Sequence, residues 1–438
     1  MMYRANFSNY PASDPNLWLK RGIWLYLLLL IFEGALRKCF LPALATPLLV
    51  VRDPIALWLI FSAWNKGILP KSYLLKAMVF IGLLGVFTAL LFGHGNLTVA
   101  VFGARTLVVH FPMIFVIGSV MDKEDVLKIG QFLLWTSIPM VLLIALQFYS
   151  PQSAFVNRGV GGDNAGAGFS GAMGYLRPPG TFSFTNGTHL FYGLTGSFIL
   201  YFWLNPKGVN KLLLCGATMA LIAVIPLSIS RTLGFMISIS AFFALITVLR
   251  KPENFLRVVL ACTGVLVILM VLSNFSFFQT ATKVLTLSFT NASYTEGGLK
   301  GTLGNRYFGW MAKAISTSLD QPFFGHGLGL GTNVGSALLT GDRKFLVSEE
   351  EWNRQIGELG ALMGIGVILI RVALTFKMGI HALKNLQNGE MLPWMLLSFG
   401  LTVIPQGQWA QPTALGFSVL TGGLIIAAMH PRTETDDI

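Results

Sequence analysis

The chain has 438 residues, 54% of them hydrophobic and only 11% charged, with a net charge of +12, whereas soluble domains carry about a quarter charged residues. A mean hydropathy of +0.66 excludes a soluble enzyme. Apolar runs of about 20 residues, each enough to cross a hydrocarbon core of about 30 Å, recur along nearly the whole length and define an all-α polytopic membrane protein.

The lysines and arginines are spread over short loops rather than gathered in a stripe. No nucleic-acid partner is therefore expected, and topology signals plus an anionic ligand account for the charge. Cys39, Cys215 and Cys262 lie in or beside apolar runs without ligand spacing, so neither a disulfide framework nor a metal site is expected. The first apolar run follows about 20 polar and aromatic residues and lacks a small-residue cleavage site, which reads as a signal anchor.

In chain order, spans are expected near 19–36, 41–63, 73–93, 97–120, 126–149, 182–204, 210–228, 232–249, 255–273, 356–376, 391–407 and 412–430. That is about twelve transmembrane helices in a single integral membrane domain over 1–438. With both termini cytoplasmic, alternate loops carry Lys66 and Lys71, Lys123 and Lys128, Lys207 and Lys211, Arg250 and Lys251, and Lys377 and Lys384, as the positive-inside rule requires.

The opposite loops include two that are too long to be connectors, 150–181 and 274–355. The first, "NRGVGGDNAGAGFSGAMGYLRPPGTF", is glycine-rich, without a helical period, and is expected to be irregular and mobile. In the second, Tyr307, Trp310, Met311, Ala314 and Ile315 recur at helical spacing before Pro322, which predicts an amphipathic helix against the bundle at the membrane surface.

Arg52 and Asp53 fall deep in the second span and Arg105 deep in the fourth, near mid-bilayer at about 1.5 Å per residue. Buried charges in a membrane are costly and usually paired. An Asp53–Arg105 bridge is the expected reading, with a polar headgroup or ion path as its functional alternative. Arg231, in "LSISRTLGF" between two apolar runs, sits on the outer side together with Arg177 and Arg306 at the ends of the long loops. Each arginine reads either as an interfacial side chain reaching for headgroups or as a planar, permanently charged group for bidentate phosphate binding. Outer-loop acids are scattered as Asp163, Asp320 and Asp342, so no divalent cation and no cofactor is expected.

The second loop closes on "SEEEWNRQIGELG". Glu350, Arg354 and Glu358 stand four apart and read as a salt-bridge ladder on a helix. Glu349, at the junction of loop and helix, reads as a cap favoured by the helix dipole or as a base for a sugar hydroxyl. His189 and His326 read as satisfied loop histidines or as catalytic ones. "GHGLGLG" lacks the strand, lysine and helix of a phosphate loop and reads as a flexible turn.

Together, "RPPGTFSFTNGTHLF", "SISRTLGF", "NRYFGWMAKAISTSLDQPFFGHGLG" and "EEEWNRQIGELGALMGIG" resemble the O-antigen ligase and polysaccharide polymerase superfamily of bacterial envelope synthesis. "EGALRKCFLP" followed by "VRDPIALWL" resembles the start of its exopolysaccharide polymerase-like members. The resemblance implies a GT-C-like inner-membrane protein with two long periplasmic loops and its active site on the periplasmic face. It further implies a metal-independent, inverting glycosyltransferase that uses undecaprenyl-diphosphate-linked oligosaccharide as donor and acceptor, with the lipid bilayer and a chain-length regulator as candidate partners.

By the same resemblance Arg177, Arg231 and Arg306 engage the diphosphate; Glu349, from its place at the junction of loop and helix, is the candidate base. Arg105, His189, His326, Glu350 and Arg354 are supporting candidates. The family's ligases carry a histidine nine positions before the Glu of Glu-Leu-Gly, where this chain has Glu349. A polymerase is therefore expected. An O-antigen ligase transferring glycan to a lipid A core, and a lipid-linked oligosaccharide flippase or transporter, are the alternatives.

Overall fold

In a computed structural model of the protein, residues 14–250, 263–264, 267–296, 309–341 and 346–430 are described. The span expected at 255–273 lies mostly outside them, as do Arg306 and Tyr307. Sixteen described helices are used below: α1 Leu17–Ala35, α2 Ala45–Leu48, α3 Arg52–Asn65, α4 Tyr73–Leu91, α5 Leu97–Arg105, α6 Phe111–Val120, α7 Lys123–Tyr149, α8 Asn186–Leu204, α9 Lys211–Leu227, α10 Arg231–Arg250, α11 Ser276–Glu296, α12 Trp310–Ser316, α13 Asn333–Thr340, α14 Glu351–Gln387, α15 Leu392–Val403 and α16 Pro412–Ala427.

Six stretches are long and apolar enough to cross a membrane, namely Pro42–Asn65, Tyr73–Leu91, Leu97–Val120, Lys123–Tyr149, Arg231–Arg250 and Glu351–Gln387. The chain is therefore a helical membrane protein. α9, α15 and α16 are apolar but shorter. α1 carries Lys20, Arg21 and Glu33, and α8 is diluted by Asn186, Thr188, His189, Thr195 and Ser197. α8 can be that polar because nearly all of it is packed inside the bundle: Thr188, Thr195 and Ser197 are buried, each with its hydroxyl hydrogen-bonded to a backbone carbonyl.

Lipid replaces water as the solvent for the outer faces. Trp58, Phe61, Phe80, Phe87 and Phe376 are all exposed while the core closes around Phe191, Phe198, Phe399 and Phe417. Helix ends follow local chemistry. Asp122 opens α7 with a full capping box, accepting from the N–H groups of Glu124 and Asp125 while the Asp125 carboxylate accepts from Asp122 N–H. Asn96 and Asn210 cap α5 and α9.

Several expectations are corrected. The second expected span matches the apolar stretch Pro42–Asn65 but is irregular at its start, where a 3-10 turn at Pro42–Leu44 and α2 precede α3. Arg52 and Asp53 consequently open a helix rather than lie within one. The fourth is interrupted by a π-helical turn at Thr106–His110, a distortion frequent at functional sites. The first long loop is not wholly irregular, because Phe169–Ala172 and Tyr175–Arg177 pair as an antiparallel hairpin.

The largest correction concerns α14. Gly360 has φ 77° and ψ 174°, conformations that a side chain resists, and a Cβ there would meet Phe323 O at 2.0 Å. The bend folds the arm Glu351–Leu359 back onto the long helix, so that a Cβ at Gly364 would meet Ile356 Cα at 2.6 Å, and Arg371 reaches Glu351. What reads as one helix entering a span is a helical hairpin.

Candidate functional site

One end of the bundle is assembled from short and irregular pieces. α8 begins, α9 ends and α10 begins at this end, because the three pack side by side through short connections. α15 and α16 are too short to reach as far as their neighbours at about 1.5 Å per residue. Their connector, "IPQGQWAQ" at 404–411, is therefore sunk into the bundle with Trp409 fully buried.

Two buried charge clusters flank this connector. In the first, Glu351 accepts from Arg354 at 3.0 Å and from Arg371 at 2.6 Å, and Arg354 also holds Glu358 at 2.8 Å. Arg371 donates to Ile404 O and Gly407 O, its guanidinium stacks 3.9 Å from the Trp409 ring centre, and Trp409 N–H donates to Glu351 at 3.1 Å. The helix arm and the connector are thereby tied at the level of Arg371, roughly 16 Å along the helix from Gly360 at about 1.5 Å per residue. The expected Glu350–Arg354–Glu358 ladder is corrected in one member: Arg354 binds Glu351 and Glu358, while Glu350 stands half-buried at the N-cap position without a side-chain capping bond.

In the second cluster, Arg105 bridges Asp53 at 2.7 Å, as the sequence predicts. His110 joins it: its Nε2–H donates to Asp53 at 2.8 Å and its Nδ1 accepts from the Tyr26 hydroxyl at 3.2 Å. Glu33 pairs with Arg52 at 3.2 Å and Arg37 at 3.4 Å, and Arg52 donates to Pro412 O at 2.7 Å. The first cluster thus holds the connector itself and the second holds the first residue of α16, directly after it. Lys38 is buried and donates to Gly180 O at 2.9 Å, next to Gln147, which binds Gly180 through both its N–H and its carbonyl. These contacts pin the Pro-Pro-Gly turn that follows Arg177.

The predicted site residues fall around the connector. Arg177 is half-buried on the second hairpin strand and acts electrostatically on His189, in the first turn of α8. Arg231 is half-buried and is the first residue of α10 rather than part of the turn. The turn itself is Ser228–Ser230, with Ile229 at φ 49°. Ser240 faces Ser398 at 2.8 Å, and Trp394 donates to Phe243 O. Followed upward from those contacts, antiparallel α10 and α15 bring Arg231 to the level of 404–411.

Glu349 is exposed, and its carbonyl accepts from Gln408 at 3.2 Å. Asn186, at the start of α8, donates to Gln411. Arg177, Arg231 and Glu349 therefore share this end of the bundle. Arg306 lies outside the described residues.

His326 is exposed, and its backbone N–H donates to Gly357 O. The "GHGLGLG" segment is not a flexible turn. Gly327 N–H donates to Glu358 O and Gly331 N–H to the Glu358 carboxylate, and Gly103 of α5 comes so close that a Cβ there would meet Gly329 N at 2.4 Å.

Beside Glu349 a cleft of about 230 Å³ opens between α12 and the start of α14, lined by Lys313, Thr317, Gln321, Val347, Asn353 and Ile356 among others. The predicted amphipathic helix is present in α12, with Ala314 buried against Ile356 and Ile368 and Ile315 exposed.

Sequence reading missed Arg371, Glu351 and Trp409. A single arginine in "GVILIRVALTF" was the available signal. No family model matches this chain, and no curated protein matches its sequence.

Proposed function

We propose that the chain is a metal-independent, inverting glycosyltransferase that polymerises undecaprenyl-diphosphate-linked repeat units into O-antigen or exopolysaccharide at the periplasmic face of a bacterial inner membrane. The observation that carries the reading is the common placement of Arg177, Arg231 and the exposed Glu349 around the sunken connector. Two guanidinium groups suit a diphosphate leaving group, whose negative charge grows as the glycosyl bond breaks. Glu349 accepts the proton of an attacking hydroxyl. That hydroxyl's oxygen bonds to the anomeric carbon from the face opposite the departing diphosphate, which inverts the centre.

The test uses purified protein with its lipid-linked repeat unit alone, in EDTA, with products resolved by size. A ladder is expected. Arg231→Ala abolishes it, and Glu349→Gln slows it by about 10²–10⁴, the usual contribution of a positioned base. Consumption of donor only when a lipid A core is added makes the protein a ligase. The break in α14 at Gly360 and the sunken connector also favour a second reading, transport of a lipid-linked oligosaccharide, since discontinuous helices build the sites of many transporters. Binding without consumption under any condition selects it.

A further inference from the structure

We infer that the cleft between α12 and the start of α14 is a binding site for an uncharged pyranose unit of the acceptor glycan. The inference rests on the glycosyltransferase reading for its place in a reaction, but on its own geometry for its chemistry. At about 230 Å³ the cleft is smaller than pockets for drug-sized ligands, about 300–1,000 Å³, and suits one compact unit.

Its lining pairs polar groups with an apolar wall. Gln321 and Asn353 are half-buried, and neither carboxamide has a hydrogen-bond partner among the described residues. Each carboxamide offers two donors and an acceptor, the combination that adjacent sugar hydroxyls use. The Ser348 hydroxyl stands beside them, and Val347 and Ile356 supply a face for the C–H side of a ring.

The charge is equally informative. Among the described residues no carboxylate lines the cleft, and the one charged side chain there is the exposed Lys313. The other lining residues are neutral, so a polyhydroxylated ring finds matched partners in the two carboxamides, and competition by phosphate tests whether Lys313 draws an anion instead. Ser348 is followed directly by Glu349, so a sugar seated in the cleft lies next to the proposed base. This places the cleft on the acceptor side of the reaction, and Arg177 and Arg231 on the donor side.

The experiment measures saturation-transfer NMR of the purified full-length protein with methyl glycosides of glucose, galactose and N-acetylglucosamine at millimolar concentration, and with inorganic phosphate as competitor. At least one glycoside is expected to bind, and Asn353→Leu weakens it about tenfold, as loss of a polar contact predicts. Gln321→Trp, which fills the cleft without breaking any hydrogen bond among the described residues, has the same effect and serves should the first variant fail to fold.

Absence of glycoside binding, unchanged binding in both variants, or displacement of the glycoside by phosphate overturns the inference. The two readings separate cleanly. A product ladder with no glycoside bound keeps the enzyme and removes the cleft, whereas glycoside binding lost in the variants without any ladder keeps the cleft and removes the enzyme.

Discussion

Arg371 is held by several partners at once. It is fully buried, donates to Glu351 and to the carbonyls of Ile404 and Gly407, and sits over the Trp409 ring. Removing one partner of a buried pair leaves an uncompensated charge and costs about 3–5 kcal/mol. Arg371→Leu is accordingly expected to lower the thermal midpoint of the detergent-solubilised protein sharply. Arg371→Lys is expected to recover little, because an ammonium cannot span both carbonyls and the carboxylate while stacking on the indole. A midpoint unchanged in Arg371→Leu would contradict the tie between α14 and the connector.

Legibility at this scale followed partnership. Asp53 and Arg105 were readable because opposite charges at matched depth in neighbouring spans have few alternatives. Arg371 and Glu351 were not, since their meeting depends on a fold-back that nothing in the helical period announces.

That fold-back is an element-scale event. Gly360→Ala would demand φ near 77° from a residue with a Cβ, placed 2.0 Å from Phe323 O, and at such a position substitution costs more than the entropy it recovers. Loss of yield and of monodispersity in size exclusion is expected, and Gly364→Ala is expected to act in the same direction, because its Cβ would meet the Ile356 backbone at 2.6 Å.

At the other end, Lys20 of α1 gathers Asp14, Asp122 and Asp125 at 2.7–3.1 Å. Burial works to raise the Asp122 carboxyl, but the Asp125 and Glu124 backbone N–H groups and Lys20 outweigh it and hold the group below the ordinary carboxylate range. A depressed carboxyl contributes stability that is fully present above its unfolded value near 3.9 and is lost as pH falls through the lower folded value. Asp122→Asn is thus expected to be less heat-stable than the parent at about pH 7, with the difference closing below about pH 4. A difference that persists in acid would mean that the cap, not the charge, is responsible.

Element positions were mostly readable, because runs of apolar residues mark spans whatever their neighbours do. The breaks at 37–40 and 408–411 were readable as the ends of apolar runs, whereas the π-helical turn at Thr106–His110 and the full extent of the connector from 404 were hidden, since tertiary partners rather than local composition hold them open.

For the whole molecule, the arrangement puts α13 and the connector at one end and the α8–α9 turn at the other. Thr340 and Lys207 are both exposed. In a background without the native cysteines, Thr340→Cys is expected to react with a membrane-impermeant maleimide on intact spheroplasts, and Lys207→Cys only after lysis. The reverse pattern would invert the protein and place the candidate site in the cytoplasm.

The back-folded α14 also has a consequence for biosynthesis. An arginine at the centre of a helix costs about 2.5–3.5 kcal/mol to insert, and Arg371 must enter with a segment that is otherwise strongly apolar. Glu351 leaves the ribosome twenty residues earlier, and the bend at Gly360 lets it meet Arg371 as soon as both are made. The pair can then partition from the translocon as a neutral unit, so that order of synthesis itself lightens the insertion of the helix on which the site is built.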